Sequence, residues 1–487
     1  MEEEPKEPMV LEEAVAEDPS PTPDSRPKPT PRRKRRRPKT QRRRQHHNSR
    51  HASLGDIING WWDRLFSVAF GGDWDDQPRL YESGRGARDY LLNTLGSIAW
   101  GTLFPLLTVV ATQLSGTEHA GQFNMAFTTA TLLLYVGNYG VKTYQVSDIT
   151  ETESFASYQI QRLLTCIIML LLGFGYCFVR GYDHDMWLIS AGAYAFRAID
   201  ALADTYEARL QQQDKLYLAG ISQAVRSVLG VTAFSLLLLI TRSLVVASIA
   251  MGVSALASFL LLTAPLTQLE TPRSRRWSAL EVREIFVECF PAFLALFLFA
   301  LIETVPKYAM EGVLPYESQV FFSAIYFPAQ AMLMIVGFIY RPQLVRLAKI
   351  WSDPHKRLRF DLIVGGMIGV CVLVTLGGLA FAKWIAVPLN SLLYGTDFEP
   401  YRTAQYLMIV AGGLTAAIDF LYQIITVLRQ QAAATRIYLI ATAFVIAASI
   451  VLVRLYGFDG AVWSYLAVMV LLLAALGIQY VFIRIRS

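Results

Sequence analysis

The chain has 487 residues, of which 54% are hydrophobic and 17% charged, with four cysteines and six histidines. A chain this apolar leaves too little polar sequence to clothe the core of a large soluble all-helical protein. The net charge of +5 is concentrated in residues 1–52, where 14 basic and 9 acidic residues give +5, while the remaining 435 residues carry 30 of each.

Residues 1–52 run from an acidic block through a Pro/Ser/Thr connector to the basic block PRRKRRRPKTQRRRQHHNSR. They hold too little apolar surface to fold alone and are predicted to be a disordered cytoplasmic tail, without a signal-peptide pattern. The basic block suits anionic membrane lipids, each Lys or Arg near such a surface being worth about 1 kcal/mol. Nucleic acid is not an expected partner. Over residues 53–90, Ser53 is placed to cap a helix. Ile57, Ile58, Trp61, Leu65, Phe66 and Phe70 share its apolar face, which predicts an amphipathic interfacial helix and a linker.

From Leu91 onward, apolar segments of membrane-spanning length recur at 91–113, 121–143, 160–179, 187–208, 218–240, 243–264, 285–306, 319–340, 361–382, 403–426, 437–456 and 461–482. A hydrocarbon core roughly 30 Å thick needs about 20 helical residues. The pattern therefore predicts an all-α polytopic membrane protein with twelve transmembrane helices. With the N-terminus inside, 18 basic residues collect at cytoplasmic ends and loops. Only six, Arg180, Arg242, Lys307, Lys383, Arg402 and Arg454, fall on the other side. That bias places both termini in the cytoplasm of a multi-pass plasma-membrane protein.

A faint repeat aligns residues 120–130 with 318–328, pairing Phe123 with Phe321 and Ala126 with Ala324. Six spans per half, both halves starting inside, predict two six-helix bundles, 91–264 and 285–487, joined by a cytoplasmic linker at 265–284. A pseudo-two-fold axis along the membrane normal would relate them.

Charge inside a span is expensive and normally faces a cavity or a partner. Span four carries Arg197, Asp200, Asp204 and Glu207 at spacings of three, four and three, on one side of a helix. Span five adds Arg226, span ten Asp419, and span two ends in Asn138 and Lys142. Lys142, Arg197, Asp200, Asp204, Arg226 and Asp419 are thus candidates for a hydrated cavity, although pairing of Arg197 with Asp200 and of Arg226 with Asp204 would account for several without a ligand. Glu303, Pro306 and Lys307 mark the outer end of span seven. Proline is expected to open or end that helix, with Lys307 either anchoring at headgroup level or guarding the outer mouth, held by Glu303.

All four cysteines fall in or beside apolar segments, and neither a Cys/His metal pattern nor HExxH or GxSxG occurs. No catalytic residue, metal or cofactor is expected. A coupling proton or monovalent cation is compatible with Glu303.

GQFN at 121–124, YQVSDI at 144–149, ALADTYEARLQQQDKLYLAG at 201–220, VPKYAMEGVLPYESQVFFSAIYFPA at 305–329, FIYRPQL at 338–344 and GFDGAVWSY at 457–465 carry a resemblance. In order and spacing they are similar to the polysaccharide-exporter branch, of O-antigen and teichoic-acid type, of the multidrug/oligosaccharidyl-lipid/polysaccharide (MOP) flippase superfamily. The resemblance implies a non-enzymatic flippase that moves a polyprenyl-(pyro)phosphate-linked oligosaccharide from the cytoplasmic to the outer leaflet by alternating access. It implies Lys142, Arg197 and Arg226 as vestibule cations, Lys307 as the lysine of a Pro-Lys-Tyr motif, and a glycan polymerase or glycosyltransferase as protein partner. A drug/cation antiporter of the same architecture and a non-transporting scaffold for glycan assembly are the competing readings.

Overall fold

The computed structural model describes residues 85–148, 150–340, 344–351, 357–428 and 430–486. The predicted tail, the predicted interfacial helix and most of its linker lie outside the described residues.

Among the described residues fifteen α-helices follow one another. In the first half they are α1 (Arg85–Ser115), α2 (Thr117–Asn138), α3 (Val141–Ser147), α4 (Phe155–Arg180), α5 (His184–Gln212), α6 (Leu216–Thr241), α7 (Leu244–Ser258) and α8 (Ala264–Glu270). A π-helical turn, Phe259–Thr263, makes α7 and α8 one continuous rod. In the second half they are α9 (Ala279–Met310), α10 (Glu317–Tyr340), α11 (Leu344–Trp351), α12 (Arg357–Phe381), α13 (Val387–Tyr394), α14 (Arg402–Val427) and α15 (Gln431–Arg486). A second π turn, Ala382–Ala386, fuses α12 to α13.

Local chemistry sets the breaks. Ser154, Asp183, Ser243 and Ser278 cap α4, α5, α7 and α9 by accepting a backbone N–H into the side chain. Gly181, at φ 63°, closes α4 in the left-handed region that glycine tolerates. Within α15, Gly457 adopts φ 58° and ψ −128°, which splits the 56-residue rod into two spans where the sequence shows its turn.

Among the described residues nine helices are long and apolar enough to cross a membrane. One of these is α15, which supplies two crossings. The more polar α2 and α5 complete the set of twelve. The first lobe comprises α1, α2, α4, α5, α6 and α7–α8; the second comprises α9, α10, α12–α13, α14 and the two halves of α15. Their internal packing corresponds. α2 lies on α5 as α10 lies on α14, α1 on α6 as α9 on α15, and α5 on α7 as α14 on α15. Residues such as Leu171, Phe178 and Leu373 are well exposed on the periphery, as a lipid-facing surface requires.

At two candidate sites the boundaries differ from the sequence reading, and the predicted 265–284 linker is shorter, since α8 runs to Glu270 and α9 starts at Ala279. Span two does not run to 143: Tyr139 and Gly140, both at positive φ, turn the chain after Asn138 and place Lys142 on the separate α3. Span seven does not end at Pro306, since α9 continues to Met310. Proline removes one donor, yet the last turn is retained because the Glu311 N–H still reaches the Lys307 carbonyl at 3.1 Å.

Candidate functional site

The seam between the lobes is built around equivalent helices. α2 and α10, second in each lobe, meet near the end of the bundle opposite the 271–278 linker, here termed the far end. A two-fold relation brings like elements together in this way. Ser323 on α10 donates to Asn124 Oδ1 on α2 at 2.8 Å. Gly121 permits the approach, because a Cβ there would lie 1.9 Å from the Tyr316 carbonyl oxygen.

Lys307 enters this seam from the last turn of α9. It is 3% exposed, and its Nζ donates to Ser323 Oγ at 2.6 Å, Thr128 Oγ1 at 3.0 Å and Asn124 Oδ1 at 3.3 Å. Nζ thus meets three neutral oxygens, two from the first lobe and one from the second. The Phe104 ring centroid lies 5.2 Å away. Among the described residues no carboxylate comes within 4.0 Å of Nζ. The expected support from Glu303 is therefore absent, and so is the headgroup-level anchor. Lys307 is a buried lysine held at the seam by hydroxyls and an amide.

Glu303, one turn earlier on α9, points elsewhere. Its Oε1 accepts from Gln330 at 3.3 Å, and Gln330 is also bonded to Tyr326. Tyr326 packs edge-on against Tyr465 with ring centroids 5.6 Å apart. Asp419, on α14, accepts a hydrogen bond from Tyr340. The second lobe thus contains two carboxylates in an aromatic polar cluster. Pro306 is buried between Glu303 and Lys307 in sequence.

The span-four charges form a different unit inside the first lobe. Arg226 grips Asp200 through Nη2 at 2.7 Å and Nε at 2.9 Å, and Glu207 through Nη1 at 2.7 Å. Arg197 reaches the other Asp200 oxygen at 2.9 Å, and Trp100 donates to that same oxygen at 2.6 Å. The Arg197 guanidinium lies 4.6 Å from the Phe127 ring centroid and 5.1 Å from that of Trp100. Arg197, Asp200, Glu207 and Arg226 are all buried. Their formal charges cancel, and the attraction between them offsets the large cost of desolvating each.

Asp204 does not meet Arg226. It is drawn toward the linker end, where Lys142 approaches at 2.9 Å and Arg162 at 3.2 Å. Arg162 is 1% exposed and also binds Thr205 Oγ1, the Gly137 carbonyl and Asn138. The Lys142 side chain remains 42% exposed. Two cations thus share one carboxylate at this end of the first lobe.

Sequence reasoning missed Asn124, Thr128 and Ser323, since neutral polar residues in apolar helices carry no charge signal. Trp100 read simply as part of span one. Arg162 is one of the 18 basic residues assigned to cytoplasmic ends, and its position in the first turns of an otherwise apolar segment already asks for a buried partner.

No protein-family model matches the chain, and no curated relative matches it. Solved structures share its fold. An inward-facing MATE multidrug-resistance transporter of the MOP superfamily is 12% identical, with a TM-score of 0.60 over 79% of this chain and 94% of its own. The lipid II flippase MurJ in an inward closed conformation is 12% identical, with a TM-score of 0.61 over 80% and 87%. A MATE protein in the bent conformation is 12% identical, with a TM-score of 0.50 over 82% and 94%. The chain is a multi-pass membrane protein that shares the two-lobed helical fold of these structures.

Proposed function

We propose that the protein is a flippase that carries a polyprenyl-(pyro)phosphate-linked oligosaccharide from the cytoplasmic to the outer leaflet by alternating access. The observation that supports this reading is Lys307: a buried ammonium with no countercharge, bound by both lobes at the seam where they must part. Closure satisfies its three protons with neutral oxygens. Separation withdraws Asn124 and Thr128, and the exposed ammonium then attracts a diphosphate more strongly than hydroxyls can hold it.

In this mechanism the linker end faces the cytoplasm. The anionic headgroup enters there past Lys142, which competes between substrate and Asp204. The polyprenyl chain stays in lipid, and rocking of one six-helix lobe against the other presents the headgroup to the opposite side. Arg197 and Arg226 act through Asp200 and Glu207 to keep the first lobe rigid during that motion. No covalent chemistry is involved. A coupling proton or monovalent cation is proposed to meet Glu303 and Asp419. Partners are the glycan lipid, anionic lipids at the basic tail, and a glycan polymerase or glycosyltransferase.

One feature favours a second reading. The pairing of Glu303 and Asp419 with Tyr326, Tyr340 and Tyr465 suits an organic cation, as in a drug/cation antiporter. Equilibrium binding separates the two. The flippase reading predicts that purified protein binds polyprenyl diphosphate, that Lys307→Gln weakens this binding at least about tenfold, and that organic cations do not compete. Competition by an organic cation, with binding unchanged by Lys307→Gln, supports the antiporter and overturns the flippase.

A further inference from the structure

The stretch LIETVPKYAMEGV carries a third charged side chain, Glu311, that neither the fold nor the mechanism above uses. It follows α9 at the far end of the second lobe, and its side chain is 1% exposed. Every side-chain partner found for its carboxylate belongs to the first lobe. Tyr182 donates to Oε1 at 2.5 Å, Tyr176 donates to Oε2 at 2.6 Å, and Arg180 Nη2 lies 2.9 Å from Oε2. Arg180 also reaches the Glu311 carbonyl oxygen at 3.2 Å. Tyr176 continues the contact by packing edge-on against Tyr308 of α9, with centroids 5.7 Å apart.

The backbone is shaped for this arrangement. Gly312 sits at φ 81°, so the chain turns immediately after Glu311, and its absent Cβ would lie 3.5 Å from Arg180 Nη2. A recess of about 530 Å³, lined in part by Glu118, Asp183 and Tyr316, opens beside the carboxylate. Other polar bonds cross the far-end seam beside it: Lys307 and Ser323 reach α2 as described above, Tyr308 donates to Thr129 Oγ1 at 3.2 Å, Thr117 to Glu317 at 3.4 Å and Gln113 to the Leu393 carbonyl at 2.8 Å, but among these none joins a carboxylate to a guanidinium.

We propose that Glu311 is the positioning residue that latches the far face shut: one carboxylate of the second lobe gathers Tyr176, Arg180 and Tyr182 of the first. The proposal rests on the alternating-access reading and adds to it the group that must be released before the far face opens. Charge-assisted bonds from two phenols and a guanidinium give the closed state a specific hold that apolar packing alone would not. Because Lys307 lies one turn away on the same helix, loss of the latch also lowers the barrier to freeing that ammonium.

The test reads conformation rather than transport. Spin labels are placed at His184→Cys and Val313→Cys, two exposed positions flanking the latch on opposite lobes, in the full-length chain in lipid nanodiscs. The four native cysteines are buried. Unsubstituted at Glu311, the pair is expected to show one short distance. Glu311→Gln keeps the shape but removes the charge, and is expected to raise the long-distance population at least about fivefold. Tyr182→Phe, which deletes one hydroxyl and guards against misfolding of the first variant, is expected to produce a smaller shift in the same direction. Unchanged distance distributions in both variants overturn the latch. Widening in Glu311→Gln, without any glycan-lipid movement by the unsubstituted protein, keeps the latch and overturns the flippase.

Discussion

Lys307 of the second lobe donates to Thr128 of the first at 3.0 Å, while Glu303, one turn back on the same helix, bonds to Gln330 within its own lobe. A single turn of α9 therefore sends a cation across the seam and an anion away from it. With Glu311 at the helix end, the stretch has three charges in three separate environments. Pro306 lies between the first two without ending the helix.

Burying an ammonium without a countercharge is costly, so its replacement by an apolar isostere is predicted to stabilise the closed protein or leave it unchanged. Lys307→Met is expected to show an apparent Tm in detergent equal to or above that of the unsubstituted chain, with glycan-lipid movement reduced at least about tenfold. A lower Tm with transport retained would assign Lys307 a structural role only.

Arg226 behaves in the opposite way. Its removal strands Asp200 and Glu207 in a dry lobe, a loss of about 3–5 kcal/mol. Arg226→Ala is therefore predicted to destabilise the protein severely by thermal or denaturant unfolding. Adding Asp200→Asn and Glu207→Gln should restore part of that loss. A singly substituted Arg226→Ala protein with undiminished stability would show that the network is hydrated.

Gly121→Ala introduces a Cβ that would lie 1.9 Å from the Tyr316 carbonyl oxygen, a backbone atom that cannot rotate away. The closed far end should become strained. Spin labels across the seam are predicted to report a larger separated population, comparable to that of Glu311→Gln. An unchanged distance would mean that α2 and α10 slide without cost.

Sidedness is checked with an impermeant thiol reagent on oriented vesicles. The native cysteines are buried and should label weakly. Ser274→Cys is predicted to react from the cytoplasmic face and Pro315→Cys from the outside. Both reacting from one side would invert or undo the topology.

The twelve spans were legible because membrane-crossing helices need a fixed apolar length. The two least apolar, α2 and α5, are those whose polar residues the lobes enclose: Asn124 and Thr128 in one, Arg197, Asp200, Asp204 and Glu207 in the other. Pairing of Arg197 with Asp200 was readable from its spacing of three along a helix. That Arg226 chooses Asp200 and Glu207, leaving Asp204 to Lys142, was not, since the choice depends on the relative rotation of α5 and α6. The Lys307 site was only half legible. Its cation and its place in a Pro-Lys-Tyr sequence stand out, but its three oxygen ligands come from two helices that meet only when the lobes assemble.

The central claim is that this seam cation serves an anionic lipid-linked glycan moving between leaflets. It is tested most directly by leaflet-resolved transport of polyprenyl-diphosphate oligosaccharides in proteoliposomes, comparing the unsubstituted chain with Lys307→Met. The account predicts that labelled headgroup crosses to the opposite leaflet with the unsubstituted protein and fails to cross with the folded variant. Equal movement in both, or none with any such lipid, would contradict it.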